Sequence, residues 1–382
     1  MVQRLPAGVR QEPAGGIAAA RPIMQHTMRP FKLVESFRMI DPGYGRIAAA
    51  YRRFSDQEAR GRSPLYETLA REVADDPALL ELLAGLPPPK RQPNLLFAAV
   101  RRIAGVPEGW PAFRRAVSAN WSDIRAIILA HSTQTNEPGR CATLLPLFAR
   151  FPEPLALIEV GASAGLCLLP DRYAYTYGQH AVRADDARAD APIFPCQASA
   201  NTPLPRMIPR IVWRAGLDIN PLDVTDARQM AWLETLVWPE QADRAERLRA
   251  AVRIARDDPP RVVRGDLRDS VATLAKEAPK DATLVVFHTA VLAYVSAETE
   301  RSAFAASVSA LCDYWVSNEA PRAVPGVAEQ APTQRAIGRF ILAVNGVPVA
   351  WTDPHGTAIE WFGEVPKPNP RTQPPAALTA AI

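Results

Sequence analysis

The stretch LALIEVGASAGLCLL, residues Leu155–Leu169, predicts a buried strand that runs into a glycine turn. LALIEV is apolar up to Glu159, and two glycines follow it four residues apart, after which we expect a helix to begin. In a parallel sheet, ligands bind beyond the carboxyl ends of the strands, where a glycine turn lets them approach the backbone and the helix N-terminus. The residues expected to bind a ligand here are Glu159, Gly161, Ala162, Ser163 and Gly165.

The chain after Phe151 alternates between short apolar runs and helical stretches. The apolar runs are LALIEV, RIVWRAGLDI, RVVRGD, ATLVVFHT, DYWVSNEA and RFILAVNG. Strands that alternate with helices predict a parallel α/β sheet with crossover connections. Asn345-Gly346 is a strong signal for a two-residue turn, so we expect the mainly parallel sheet to end in an antiparallel hairpin.

Residues 31–150 show helical periodicity and no clear strand. In PLYETLAREVADDPALLELLAGL, leucines recur every three to four residues, and Ser63 before Pro64 is a typical helix start. Residues 1–30 and the proline-rich residues 366–382 have the composition of disordered tails. We therefore predict an α-helical N-terminal domain or cap, residues 31–150, followed by an α/β domain, residues 151–365.

Composition argues against several classes of protein. With 48% hydrophobic residues among 382, the chain can bury a large core, and its net charge of +4 comes from interleaved charges without a nucleic-acid-binding patch. The four cysteines have neither zinc-site nor disulfide-framework spacing. The sequence has no apolar run of roughly 18 residues and no signal-peptide core. We expect a cytoplasmic protein with a small-molecule substrate and without a metal, nucleic acid or membrane partner; the oligomeric state stays open.

The spacing E-x-G-x-x-x-G, from Glu159 to Gly165, differs from the dinucleotide pattern G-x-G-x-x-G because position 163 is serine. It resembles the first motif of class I S-adenosylmethionine-dependent methyltransferases. The resemblance implies a Rossmann-like methyltransferase-type sheet with S-adenosylmethionine as the cofactor, and the hairpin at Asn345-Gly346 matches the last two strands of that fold. It also implies that Asp218, after the second strand, binds the ribose hydroxyls and that Asp266, after the third, accepts from the adenine amine. The long insertion before Asp218 departs from the usual interval of about 20 residues.

The run HSTQTNEPGR, His131–Arg140, concentrates hydrogen-bonding side chains just before the first strand. One interpretation is a capped loop with Thr135 or Asn136 as the helix N-cap. The other is that the run lies over the carboxyl edge of the sheet, where Arg140 binds a carboxylate of the acceptor and Glu137 orients Arg140. A third possibility is that Glu137 and Arg140 form an ion pair that fastens the helical domain to the sheet.

His288 ends the fourth strand, ATLVVFHT, where a methyltransferase-like site has its reactive groups. It is either a general base near neutral pH or a hydrogen-bonded core residue. On the first interpretation, the catalytic residues are His288, Glu137 and Arg140. His355, in the sequence DPHG, has the context of a turn residue.

Three tyrosines alternate in the insertion after the glycine turn, at Tyr173, Tyr175 and Tyr177. Their spacing predicts a strand or hairpin with one aromatic face. That face either packs against the core or lines a substrate pocket.

Several segments match the bacterial family called domain of unknown function 2332. They are TQTNEPGR, LIEVGASAGLCLLPDRYAYTYG, RAGLDINPLDV, WLETLVWPEQADRAERL, VVFHTAVLAYV and SNEAPR. The chain is identified as a member of that family on these segments, which implies no activity by itself. We predict a methyltransferase that acts on an unidentified small acceptor. The alternatives are a binding protein that keeps the fold without the chemistry and a nucleotide-dependent oxidoreductase, which the incomplete glycine pattern disfavours.

Overall fold

The computed structural model of the protein describes residues 42–134, 136–334 and 338–370. These residues belong to one compact unit. The predicted tail of residues 1–30 and residues 371–382 of the predicted C-terminal tail lie outside them. Within the described ranges, no helix is both long enough and apolar enough to cross a membrane.

Helices form the region before the first strand. They are α1 (Pro42–Phe54), α2 (Pro64–Asp75), α3 (Pro77–Ala84), α4 (Pro93–Ala104), α5 (Trp110–Ala130) and α6 (Cys141–Phe148). The predicted start of α2 is confirmed, since the Ser63 hydroxyl accepts a hydrogen bond from the Tyr66 N–H at 3.1 Å. The single leucine-rich segment expected from periodicity is divided into α2 and α3. Asp76 caps α3 by accepting from two N–H groups, and Pro77 occupies its first turn.

The second part of the chain alternates strands and helices. Its helices are α7 (Ala227–Thr235), α8 (Ala242–Asp257), α9 (Val271–Glu277), α10 (Glu298–Leu311) and α11 (Pro325–Ala328). Its strands are β1 (Leu155–Val160), β2 (Ala174–Tyr177), β3 (His180–Arg183), β4 (Ile193–Pro195), β5 (Gln197–Ala198), β6 (Ile211–Asp218), β7 (Val262–Arg264), β8 (Thr283–Thr289), β9 (Tyr314–Glu319), β10 (Phe340–Val344), β11 (Val347–Thr352) and β12 (Ala358–Trp361).

The larger sheet has nine strands in the order β5-β12-β11-β10-β9-β8-β1-β6-β7. The five strands β7, β6, β1, β8 and β9 are parallel, which confirms a mixed α/β fold with a large, mostly parallel sheet. From β1 the chain goes first to β6 and β7 on one side and then returns to β8 and β9 on the other. The strand order therefore reverses between β1 and β8, which is where α/β sheets of this kind bind ligands.

Strands β10, β11 and β12 form an antiparallel meander, one strand longer than the predicted hairpin, and the two-residue β5 pairs in parallel with β12 at the edge of the sheet. The two-residue turn between β10 and β11 is confirmed at Asn345 and Gly346. Both residues have positive φ, at 49° and 79°, as the tight hairpin turn requires. The Asn345 side chain also accepts from the Trp315 N–H at 2.8 Å, which attaches the turn to β9.

The tyrosine insertion forms a separate three-stranded sheet in the order β3-β2-β4. Tyr173, Tyr175 and Tyr177 are buried, and their hydroxyls donate to the backbone carbonyls of Leu166, Pro170 and Ala142. Because these side chains are buried in the core, the packing interpretation is the correct one.

Three hydrophobic cores hold these layers together. One face of the large sheet packs against α6, α8 and the tyrosine sheet, and the other packs against α9, α10 and the segment around α11. The third core lies among α1 to α5 and includes Trp232 and Trp238. Helix α6 thus belongs to the core of the sheet, although it precedes the predicted domain boundary at residue 150.

The segment around α7 fastens the N-terminal helices to the sheet. The Trp238 indole donates to Asn94 at 2.9 Å, and Glu240 accepts from both the Ser63 hydroxyl and the Leu65 N–H at the start of α2. The Trp232 indole donates to the Ser132 carbonyl at 3.1 Å. These bonds attach the starts of α2 and α4 and the loop after α5 to the segment around α7.

We predict that Gly216→Ala lowers the free energy of unfolding by about 1 to 3 kcal/mol, because overpacking forces the backbone to move. A Cβ at Gly216, in β6, would lie 2.6 Å from the Cβ of Ala162 and 3.1 Å from Val262. Gly326→Ala is the matched control, since a Cβ there meets nothing within 4 Å. Urea unfolding of both variants measures the difference, and equal stability would contradict the close approach of β6 to the glycine turn.

Candidate functional site

A cavity of about 600 Å³ lies beyond the carboxyl ends of β1, β6, β7 and β8. Strand ends and the residues after them line it: Val160, Gly161, Leu217, Asp218, Gly265, Asp266, Thr289 and Ala290. The helical region adds Pro89, Lys90, Gln92, Leu95, Ser132, Thr133 and Gln134. The cavity therefore lies at the reversal of strand order, between the sheet and the helices that precede it.

The glycine corner, residues 161–165, turns the chain sharply at the end of β1. Gly161, Ser163 and Gly165 all have positive φ, between 53° and 73°. Any side chain at Gly161 would overlap with Val291, and a Cβ at Gly165 would lie 2.7 Å from Pro260. Of the predicted corner residues, Gly161 and Ser163 line the cavity, whereas Ala162 and Gly165 do not.

The helix expected after the corner is absent from this part of the structure, where only a three-residue 3-10 turn, Leu166–Leu168, follows. The corner N–H groups are also engaged. Those of Gly161 and Ala162 donate to the Leu217 carbonyl, and that of Ser163 donates to Asp218. The prediction of a helix N-terminus facing the ligand is therefore wrong, because the insertion after the corner forms the tyrosine sheet instead. Without that N-terminus, the corner lacks the usual features of a phosphate site.

Glu159 points into the core rather than into the cavity, contrary to the expectation for a cofactor-binding residue. It is 2% exposed, and its Oε2 atom has no hydrogen-bond partner within the described residues. Burial raises the pKa of Glu159 well above its ordinary value, and Cys167 beside it acts in the same direction. Burial under the glycine corner therefore favours the protonated form of Glu159.

Asp218 and Asp266, the other two predicted acids, both line the cavity. Asp218 accepts from the Ser163 N–H at 2.8 Å and from the Asn220 N–H at 2.7 Å, so it holds the corner and its own turn in place. Asp266 pairs with Arg268 at 2.6 Å, and this hydrogen bond lowers the pKa of Asp266 to about 2. Both side chains are therefore in a position to meet the same ligand.

The polar run from His131 to Arg140 lies at the carboxyl edge of the sheet, as one of the two interpretations expected. Ser132, Thr133, Gln134 and Arg140 line the cavity. Gln134 exchanges two hydrogen bonds with Asn220, at 2.7 and 2.8 Å, and so joins the run to the turn after β6. The alternative cap residue Thr135 lies outside the described residues.

The side chains of Asn136 and Glu137 accept hydrogen bonds from backbone N–H groups and do not line the cavity. The Asn136 side chain accepts from the Leu166 N–H at 2.9 Å, which connects the polar run to the glycine corner. Glu137 accepts from the Gly139 N–H at 3.0 Å, so Glu137 caps the 3-10 turn of residues 138–140. The cap that sequence analysis assigned to Thr135 or Asn136 is therefore provided by Glu137.

Glu137 forms an ion pair with Arg244 of α8 and not with Arg140. Burial alone would raise the pKa of Glu137, but Arg244, with smaller contributions from His355 and Arg140, holds it well below its usual range. Since Glu137 does not line the large cavity, its predicted catalytic role is not supported. Glu137 instead attaches the polar run to α8.

Arg140 connects three segments at the cavity wall and is only 6% exposed. Its Nε donates to the Pro354 carbonyl at 2.9 Å, and its Nη1 donates to both the carbonyl and the hydroxyl of Thr289, at 3.1 and 3.0 Å. Nη2 makes no hydrogen bond to the described residues. Arg140 therefore offers a ligand one guanidinium nitrogen rather than the bidentate clamp predicted from sequence.

His288 is completely buried and does not line the cavity. Its Nε2 accepts from the Trp315 indole at 2.9 Å, so Nδ1 carries the proton and donates to Glu319 at 2.7 Å. Both ring nitrogens are thus engaged. The predicted general-base role does not fit this geometry, and His288 is a hydrogen-bonded core residue.

Several residues that line the cavity were not predicted from the sequence. Ile219 and Tyr294 do so while 71% and 73% exposed, respectively, which is unusual for large apolar side chains. Lys90 and Arg268 bring additional positive charge. Ile219 follows Asp218 directly, and this adjacency was the one available signal; the loops that carry the others have no recognisable motif.

We predict that Glu159→Gln reduces the pH dependence of stability. Because the pKa of Glu159 is raised in the folded state, unfolding releases a proton, and the free energy of unfolding falls by up to about 1.4 kcal/mol per pH unit above the unfolded pKa. The glutamine variant lacks this decrease. Urea unfolding between about pH 5 and about pH 7 should therefore give a smaller slope for the variant than for the wild type.

Glu137→Gln is the control, because folding lowers the pKa of Glu137 but raises that of Glu159. The Glu137 carboxylate is ionised in both the folded and unfolded states over this pH range, but its loss further lowers the pKa of His355 beside it. Since the pKa of His355 is already lowered in the wild type, this changes the slope only at the acid end of the range, and toward about pH 7 the slope of this variant should remain that of the wild type. Its stability should fall by about 3 to 5 kcal/mol at every pH, because Arg244 loses its buried partner. Parallel pH profiles for Glu159→Gln and the wild type would contradict the raised pKa of Glu159.

Within the described residues, no group of three or more His, Cys, Asp or Glu side chains is arranged to hold a metal ion.

Comparison with known proteins provides the family of the chain. A search of the curated proteins finds no match to the chain. The family model described as an uncharacterized protein conserved in bacteria, DUF2332, matches residues 48–361. The chain therefore belongs to the DUF2332 family of bacterial proteins.

Proposed function

We propose that the protein binds S-adenosylmethionine in the cavity and transfers its methyl group to a small-molecule acceptor. The observation that carries the proposal is that Asp218 and Asp266, which follow adjacent parallel strands, line one cavity at the reversal of strand order. Ligands of α/β sheets bind at such reversals. The volume of about 600 Å³ is also typical of cofactor and substrate sites.

The adenosine part of the cofactor would bind beside β6 and β7. Each Asp218 oxygen accepts one backbone N–H and keeps a lone pair for a ribose hydroxyl. Asp266 would accept from the adenine amine, and the side chains of Ile219 and Leu267, which also line the cavity, would contact the ring. Burial under an adenine ring would account for an isoleucine that is otherwise 71% exposed.

The acceptor would bind on the side of the cavity formed by the end of β8 and the helical region. When bound, S-adenosylmethionine supplies a methyl group on a positively charged sulfur. Arg140 would donate from Nη2 to an acceptor oxygen, and Thr289 holds Arg140 in place. The loops after α3 and α5 would shield the reacting groups from water and restrict the acceptor to a reactive orientation.

The geometry of the glycine corner helps to distinguish the methyltransferase from the oxidoreductase alternative. A dinucleotide needs free N–H groups and a helix N-terminus for its pyrophosphate, but the corner N–H groups are engaged and a 3-10 turn follows. This disfavours the oxidoreductase alternative and leaves S-adenosylmethionine, which has no phosphate. The burial of His288 favours the second candidate, a binding protein without catalysis, and ligand turnover distinguishes the two.

We expect S-adenosylmethionine and S-adenosylhomocysteine to raise the melting temperature, whereas NAD and ATP do not. A ligand at a hundred times its Kd adds about 2.7 kcal/mol to the free energy of unfolding, which a thermal-shift assay detects. Isothermal titration calorimetry with S-adenosylhomocysteine then gives the Kd. Binding of NAD alone, or of none of the four compounds, would contradict the proposal.

Ile219→Ala should weaken S-adenosylhomocysteine binding about tenfold, or ~1.4 kcal/mol, because the adenine ring loses an apolar contact. Ile193→Ala is the matched control, since Ile193 is 55% exposed and lies outside the cavity. Both residues are at the surface, so neither variant should impair folding. Equal Kd values for the two variants would show that Ile219 does not contact the ligand.

A further inference from the structure

Two cationic side chains face the cavity without a carboxylate partner. Arg140 is 94% buried, yet its hydrogen bonds go to the Pro354 carbonyl and to Thr289. The Lys90 ammonium donates to the His131 carbonyl. Within the described residues, neither forms an ion pair. The Glu137 carboxylate acts on Arg140 from outside the cavity, but the groups that Arg140 and Lys90 contact directly are neutral and replace their hydration incompletely. An anionic ligand would therefore stabilise this wall of the cavity.

The carboxylates of the cavity are engaged elsewhere. Arg268 donates to Asp266 at 2.6 Å and to Glu300 at 3.1 Å, and Asp218 accepts the two backbone N–H groups described above. An anion in the cavity would therefore meet Arg140 and Lys90 without displacing an existing ion pair.

The histidine predicted as the general base is not available to the cavity. His288 is enclosed by Trp315 and Glu319, outside the cavity. An alcohol or an amine must lose a proton when it accepts a methyl group, and a protein usually provides a base for that proton. A carboxylate has already lost its proton in neutral solution.

We infer that the acceptor is a small carboxylic acid that is methylated on a carboxylate oxygen and bound between Arg140 and Lys90. This inference rests on the proposed function. A lone pair of the carboxylate oxygen forms the new C–O bond, the C–S bond of the cofactor breaks, and its electron pair remains on sulfur. A cation and an anion thereby become a neutral thioether and a neutral methyl ester. No proton moves, so the reaction needs no general base.

The remaining lining residues indicate the rest of the acceptor. Leu95, Tyr294 and Val295 add apolar surface to the cavity, and Tyr294 is 73% exposed. An acid with an apolar body would cover this surface while its carboxylate binds the two cations.

Three probes of equal shape test the inference: phenylbutanoate, phenylbutanol and phenylbutanamide, titrated into the full chain with saturating S-adenosylhomocysteine. We expect the acid to bind at least about tenfold more tightly than either neutral probe. Lys90→Gln should remove most of that preference without changing the affinity for the alcohol, and Lys90→Arg should restore it. Lys276→Gln, at an exposed position of α9 outside the cavity, should behave like the wild type. The test uses variants of Lys90 rather than of Arg140, because Arg140 also makes hydrogen bonds that stabilise the fold.

The chemical step is tested with methyl-labelled S-adenosylmethionine and the same three probes. An ester releases labelled methanol in alkali, so only the phenylbutanoate reaction should give volatile label. Equal affinity for the three probes, no binding of the acid at its solubility limit, or label that resists alkali would overturn the inference. Failure of S-adenosylhomocysteine to bind would contradict the proposed function itself, whereas binding without preference for the acid would contradict only the carboxylate assignment.

Discussion

The Leu217 carbonyl, near the end of β6, accepts hydrogen bonds from two successive N–H groups of the glycine corner, those of Gly161 at 2.7 Å and Ala162 at 3.1 Å. The corner can make this approach because Gly161 has a positive φ and because Gly216 has no side chain beneath Ala162. Asp218 adds a third bond to the corner from the next residue of β6. The ends of β1 and β6 are consequently joined edge to edge, and the floor of the cavity depends on that junction.

The wall formed by the end of β8 is held from two sides. Arg140 donates to Thr289 from the polar run, and the Glu319 carboxylate accepts from the Val291 N–H at 2.8 Å and from His288. Val291 in turn covers Gly161. Buried polar groups are costly unless they are paired, so this network has few alternative arrangements. The cavity is thereby preorganised, as a site that orients a small substrate requires.

Sequence patterns predicted the elements well and the orientation of the polar side chains poorly. LALIEV and the turn at Asn345-Gly346 were predicted correctly because strand length and positive φ are local requirements. Glu137 and Arg140 are only three residues apart, yet one pairs with Arg244 and the other with Thr289. Each of those partners lies more than 100 residues away in the sequence, so no local pattern could assign it.

By itself, the sequence determined the α/β class, the helical region before the sheet, the glycine corner and two acids that reach the cavity, Asp218 and Asp266. These features follow from periodicity and from the rule that the carboxyl ends of parallel strands share one edge. Only the tertiary structure decided that His288 lies behind the wall and that Arg140 and Lys90 face the cavity with backbone and hydroxyl oxygens as their hydrogen-bond partners among the described residues. The reason is that strand period fixes which face of the sheet a side chain occupies, whereas the charge around that side chain depends on segments brought together by packing.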